Sequence, residues 1–227
     1  MADFSRYLPL SRRPDVDESG VTADRRSETA EVLTALAEVL RAAGGDAWAA
    51  TTGRPGWQVA DVASELVEDF GRSRTRRALD AAGRIARGAE ARRLAELTRL
   101  PGPAAAADRI ALRAGAVLER PKPTSIVELD DAVVAALLIG DAIGAVVPLS
   151  PRASGAVALR RAAAAPTEIR AVIAGHRLRA TDAGWEFGHG APLVDTAAGL
   201  LRFLTGIGAV APHPPRADEA PPADARD

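Results

Sequence analysis

The chain contains no cysteine, which excludes disulfides, thiolate metal sites and a cysteine nucleophile. Histidine is nearly as scarce, with only His176, His189 and His213 among 227 residues, and this limits metal chemistry sharply. Lys122 is the single lysine, so almost every positive charge is an arginine. The shared excess of Ala and Arg resembles the bias of a high-GC bacterial genome rather than a functional signal. Aromatics are 4% of the chain, so a core has to be built from Ala, Val, Leu and Ile. Net charge is also lacking: 29 Lys+Arg face 30 Asp+Glu, a formal -1. That balance leaves no global electrostatic footprint for nucleic acid or an anionic membrane. The opening MADFSRYLPLSRRPDVDESG has no basic stretch followed by an apolar one, so no secretory signal is expected and the cytoplasm is the expected location. There is no Gly-rich phosphate loop, nucleophile elbow or Ser/His/Asp set in a strand–turn–helix context.

What is present is a hydrophobic content of 47%, enough for a sizeable core. Residues 1–26 are polar and read as a flexible arm, and 211–227 (PHPPRADEAPPADARD from Pro212) as a disordered tail. A first helix is predicted over 28–43, capped by Ser27 and stopped by Gly44-Gly45. A second runs over 58–70, with Val59, Val62, Ala63, Leu66, Val67 and Phe70 on one face and Gly71 after it. The region 72–100 is a basic Ala/Leu/Arg helix or helix pair, and another helix is expected over 104–118.

Ser125 and Glu128 form a predicted capping box ahead of AVVAALLIGDAIGAVV. Residues 132–139 are apolar all round, as in a helix buried on most sides. A membrane span needs ~20 apolar residues, and Gly140, Asp141, Gly144 and Pro148 interrupt this run, so no membrane association is expected. After Pro151 the pattern changes. A helix is expected over 155–164, short strands over 168–174, 177–181 and 184–187, and a last helix over 196–204 capped by Asp195 and ended by Gly206. The expected architecture is mainly α, with a helical unit over 27–150 followed by a small α+β unit over 151–210.

Three stretches carry a family resemblance. Trp48 with RPGWQVADVASEL at 54–66, VVAALLIGDAIG at 133–144, and IRAVIAGHRLRATDAGWEFGHG…TAAGLLRFLTG resemble, in order and spacing, the actinobacterial mycothiol-dependent maleylpyruvate isomerase family. That family belongs to the DinB-like four-helix-bundle proteins. The resemblance spans roughly residues 28–208 and implies a DinB-like four-helix bundle followed by a small α+β domain. It further implies a divalent metal in the bundle that activates a thiol or water, held by a His on the second helix and a Glu-x-x-x-His pair on the fourth. Those ligand positions fall here on Glu65, Asp131 and Ala135, and the Asp that follows them falls on Leu138. Ala135 offers no ligand atom. Glu65 and Asp131 are then a two-carboxylate remnant, which would hold a divalent ion weakly and in an Mg²⁺-like manner rather than as a tight Zn²⁺ site.

Each candidate also has a plainer structural reading. Glu65 lies at the border of its apolar face and reads as a cleft carboxylate or as a solvated helix flank. Asp131 reads as a cleft carboxylate or as an acid serving the helix dipole. Asp61, near a helix start, is expected to serve that dipole or to pair with an arginine, and Trp48 and Trp57 to pack the end of the bundle. Arg72, Arg74, Arg76, Arg77, Arg84 and Arg87 form a basic face suited to an anion or an acidic partner. Asp80 and Glu90 interrupt that run and stacking aromatics are lacking nearby, so nucleic acid is not the expected partner. Three functions follow in order. The first is a small-molecule or partner-binding protein with a degenerate metal site. The second is a thiol-dependent isomerase or transferase using mycothiol with a carboxylate-held metal. The third is a regulatory or adaptor protein using the arginine face.

Overall fold

The computed structural model describes residues 24–70, 89–208 and 210–216. The described residues are mainly helical, with one small sheet. Helix α1 (Arg26–Ala42) buries Val32, Leu33, Leu36 and Leu40 along one stripe. It starts ahead of the expected Ser27 cap, with Arg25 at the N-cap and no side-chain bond there. Contacts distant in sequence fix this end instead. Arg25 N–H donates to Thr124 O (3.2 Å), Thr124 N–H donates to Asp24 Oδ1 (3.0 Å), and Arg26 Nη1 donates to Arg120 O (2.7 Å).

A 3-10 turn (Gly45–Ala49) leads into a tight reversal in which Thr51 and Gln58 bridge across the loop. Thr52 N–H donates to Trp57 O (2.9 Å) and Val59 N–H to Ala50 O (3.0 Å), so Gly53, Arg54 and Pro55 form the tip. Helix α2 (Val59–Asp69) then begins at Gln58, whose N–H donates to Asp61 Oδ2 at 2.9 Å. The short helix α3 (Ala89–Glu96) and helix α4 (Pro103–Leu118) follow, the latter opening on a proline, where the missing N–H costs nothing.

Helix α5 (Ile126–Ile143) is the most deeply buried, with Leu129, Ala132, Val133, Ala136 and Ile139 at or near zero exposure. The expected capping box does not form. Ser125 makes no side-chain cap bond, and Glu128 is taken by Arg120 Nη1 at 2.8 Å, a charge-assisted bond that outcompetes a neutral N–H. The helix ends at Gly144 in the left-handed region (φ 66°). Ala145 folds back there onto Gly140, where a Cβ would stand 2.6 Å from Ala145 O.

Helix α1 lies along α4 and α5, and α2 packs on α5 and α4. Helix α6 (Pro151–Ala163) starts four residues before the expected position, because Ser150 Oγ caps Ala153 N–H (3.3 Å). Helix α7 (Thr167–Ile173) occupies the segment expected as a strand over 168–174. Only Ile169 and Ile173, one turn apart, reach the core, a spacing that a helix satisfies on one face.

Strands β1 (His176–Ala180), β2 (Glu186–Gly188) and β3 (Ala191–Asp195) form a sheet in the order β2-β1-β3, with β2 antiparallel and β3 parallel to β1. The chain therefore crosses the start of β1 within two residues. Gly188 and Gly190 make the crossing at φ 93° and 92°, and a Cβ on Gly190 would overlap the carbonyl oxygen of Gly175. Helix α8 (Ala197–Thr205) is capped by Thr196, whose Oγ1 accepts from Gly199 N–H (3.1 Å), rather than by Asp195. It packs on α6 and the sheet and ends at Gly206 (φ 73°). His213, expected in a loose tail, pairs with Val194 through both backbone bonds (2.7 and 3.2 Å). The core is continuous across residue 151, joining Leu33, Leu36 and Leu129 to Val157, Leu200 and Leu201. Among the described residues no helix is long and apolar enough to cross a membrane.

Candidate functional site between α2, α5 and the end of α8

The apolar stripe of α2 turns Val62 and Leu66 toward α5, and the helical period carries Glu65 and Asp69 to the same side. Facing them on α5 are Asp131, Val134, Ala135 and Leu138. Together they line a cleft of about 380 Å³. The reversal before α2 supplies Gly53, Arg54 and Pro55, α6 supplies Arg161, and the end of α8 supplies Thr205, Gly206 and Ile207. The fold thus brings Glu65, Asp131, Ala135 and Leu138 to one cavity. Asp69, Arg161 and the α8 terminus join them without any local sequence signal, and Arg54 joins them from the tip beside the Pro55-Gly56 turn.

The Glu65 carboxylate is already occupied on both oxygens. Arg54 Nη1 donates to Oε2 at 2.5 Å and Arg93 Nε to Oε1 at 3.2 Å. Arg54 also lies over the Trp57 ring, 3.4 Å from its centroid, and Trp57 itself is 1% exposed in the core. Arg93 spreads over three acids of α2, reaching Asp69 Oδ1 at 2.7 Å and Glu68 Oε2 at 3.7 Å. Burial works against the Arg93 charge, but Asp69, Glu65 and Glu68 outweigh it and raise the guanidinium pKa above its ordinary value.

One turn earlier, Asp61 is fully buried and accepts from Arg99 Nε at 2.5 Å, a bond that raises the Arg99 pKa. On α5, Asp130 rather than Asp131 is the buried acid. It is 2% exposed and held by Arg161 Nε on Oδ1 (2.6 Å) and Arg160 Nε on Oδ2 (3.1 Å). Asp131 is not free either.

This donor set does not fit a tightly held transition metal. The one carboxylate on α2 at the implied ligand position carries two guanidinium groups, and Ala135 brings only a methyl. Among the described residues no group of three or more His, Cys, Asp or Glu is placed to hold an ion. His176 Nδ1 lies 3.0 Å from Ala174 O, and His213 Nδ1 lies 2.9 Å from Pro214 O, both away from the cavity lining. Arg72, Arg74, Arg76, Arg77, Arg84 and Arg87 lie outside the described residues. Comparisons with protein-family models, with curated proteins and with solved structures returned no match to this chain.

Proposed function

We propose that α1, α2, α4 and α5 form a DinB-like four-helix bundle of the maleylpyruvate isomerase kind whose cleft binds a small molecule without a resident metal. The observation that carries this reading is the Arg54–Glu65–Arg93 cluster. Guanidinium groups sit on both oxygens of the carboxylate at the position where the resembling family keeps a histidine ligand. The charge balance that a cation would supply is met by the protein itself. The apolar wall of Val62, Leu66, Val134 and Leu138 with a few polar groups at its rim is the usual composition of a small-molecule pocket.

Elemental analysis of purified protein tests the reading, with zinc and magnesium expected well below one per chain after dialysis. Stoichiometric zinc that survives dialysis overturns it. A second reading, a thiol-dependent isomerase or transferase using mycothiol and a carboxylate-held ion, draws on Glu65 and Asp131 sharing one cavity. It requires Glu65→Ala/Asp131→Ala to lose metal affinity relative to the parent.

A further inference from the structure

Among the described residues the cavity wall contains six charge-bearing or hydroxyl side chains, and their commitments differ. Glu65 is bound on both oxygens, Asp69 is held by Arg93, and Asp131 is not free. Arg54 is committed to Glu65 and to the face of Trp57. Thr205 Oγ1 donates back into its own helix, to Leu201 O at 2.7 Å. Arg161 alone among the charged groups has donors to spare. Its Nε is spent on Asp130, while its two terminal nitrogens make no hydrogen bond among the described residues. Its side chain is 31% exposed, so those nitrogens are reachable from solvent.

Asp130 does more than neutralise this arginine. It is buried and anchored on its other oxygen by Arg160, so it restrains the Arg161 guanidinium at Nε. A planar group held by Nε leaves its terminal N–H groups as a preset fork for oxyanions. Glu65 and Asp69 carry their own guanidinium partners, Arg54 and Arg93, which offset their repulsion of an anion. The same cavity has an aliphatic lining that includes Val134, Ala135, Leu138 and Ile207.

We infer that Arg161, aimed by Asp130, is the anion-recognition residue of the cavity, and that the cavity takes a small amphiphile with one oxyanion head, a carboxylate or a phosphate monoester, on an apolar body. The inference rests on the small-molecule reading of this cleft and adds the class of ligand and the residue that selects it.

Calorimetric titration of the full chain with hexanoate, hexyl phosphate, hexanol and hexylamine tests it. At least one anion is expected to bind about tenfold or more tighter than hexanol, the usual worth of a charge-assisted bond, and hexylamine weakest. Whichever of hexanoate and hexyl phosphate binds tighter identifies the head. Arg161→Gln should bring the anion down to the level of hexanol while leaving hexanol itself unchanged. Arg161→Lys keeps a counter-charge for Asp130 if the Gln variant folds poorly, and should lose most of the anion preference because it lacks the fork. Val134→Trp should abolish binding of every probe by filling the cleft. Hexanol binding as tightly as both anions, with loss in Val134→Trp, overturns the anion inference and leaves the cavity reading standing. Equal loss of hexanol and anion affinity in Arg161→Gln assigns the residue a structural part and overturns it too. Failure of all four probes to bind overturns both.

Discussion

Asp61 has no exposed surface, yet its two oxygens do unequal work. Oδ2 accepts the N–H of Gln58 at the start of α2, while Oδ1 meets an arginine that is 53% exposed. A backbone cap is worth ~1 kcal/mol and a half-exposed ion pair less. Asp61→Ala is therefore expected to cost about 1–2 kcal/mol in chemical denaturation, and Asp61→Asn, which keeps an accepting oxygen, under about 1 kcal/mol. At Asp24, burial opposes ionisation, but the Thr124 N–H and Arg26 outweigh it and hold the carboxyl below its ordinary range. A carboxyl depressed in the folded state adds stability above its unfolded pKa and loses it as the pH falls through the folded one. The stability gap between the parent and Asp24→Asn should therefore shrink as the pH drops below about 4, as read from denaturation midpoints. At this scale the sequence was only half legible. The helical period put Glu65 on the border of an apolar face, which is where the cleft lies. Its partners, 11 and 28 residues away, belong to a loop tip and a short helix whose approach no local rule supplies. Asp131 stands out in the sequence only through the family resemblance, which passes over Asp130. Both lie one residue apart in the first turns of α5, and only tertiary packing shows which of them is buried beneath α6.

Helices with a strong stripe were readable as elements. α1, α2, α4 and α5 fall within a few residues of the periods of their apolar positions, because burying one face is what stabilises them. The ends were less readable. Ser27 and Glu128 satisfy the capping rule in sequence, but the start of α1 is held by contacts from residues near 120–124 and Glu128 pairs with Arg120, whereas Ser150 ahead of Pro151 does cap α6. Ser150→Ala is expected to cost about 1 kcal/mol, with the loss seen in the thermal melt. The segment Glu168 to Ala171 alternates polar and apolar residues and so also fits a strand, but the one-turn spacing of Ile169 and Ile173 in the core decides for α7. No strand is expected over β3, whose Pro192 and flanking Gly190 are residues that strands disfavour. Its pairing is set by β1 rather than by its own pattern. Helix α3 is tied to α2 chiefly through Arg93 on Glu65, Glu68 and Asp69. Arg93→Ala should therefore raise amide exchange across Ala89–Glu96 without comparable change in α1 or α5.

Across the whole molecule, the change of pattern near Pro151 marks where the sheet-bearing part begins but not a break in the core. Ala153, Val157 and Ala158 of α6 have no exposure, and α6 packs on α5 on one side and α8 on the other. A chain ending at residue 150 would expose the α5 surface that α6 covers and would lose Arg161 and Ile207 from the cleft. Its expected behaviour is a broad, weakly cooperative melt with binding of a hydrophobic dye, in contrast to the full chain. The central position of β1 carries a mechanical corollary. β3 runs alongside β1 in the same direction over five residue pairs, from His176 opposite Ala191 to Ala180 opposite Asp195. Tension between the two ends of the chain would draw the first residue of β1 and the last residue of β3 apart along the strand axis. The bonds between those strands would then be loaded together in shear instead of being peeled one after another, so under stretching this small sheet should act as a clamp that holds while helices outside it yield.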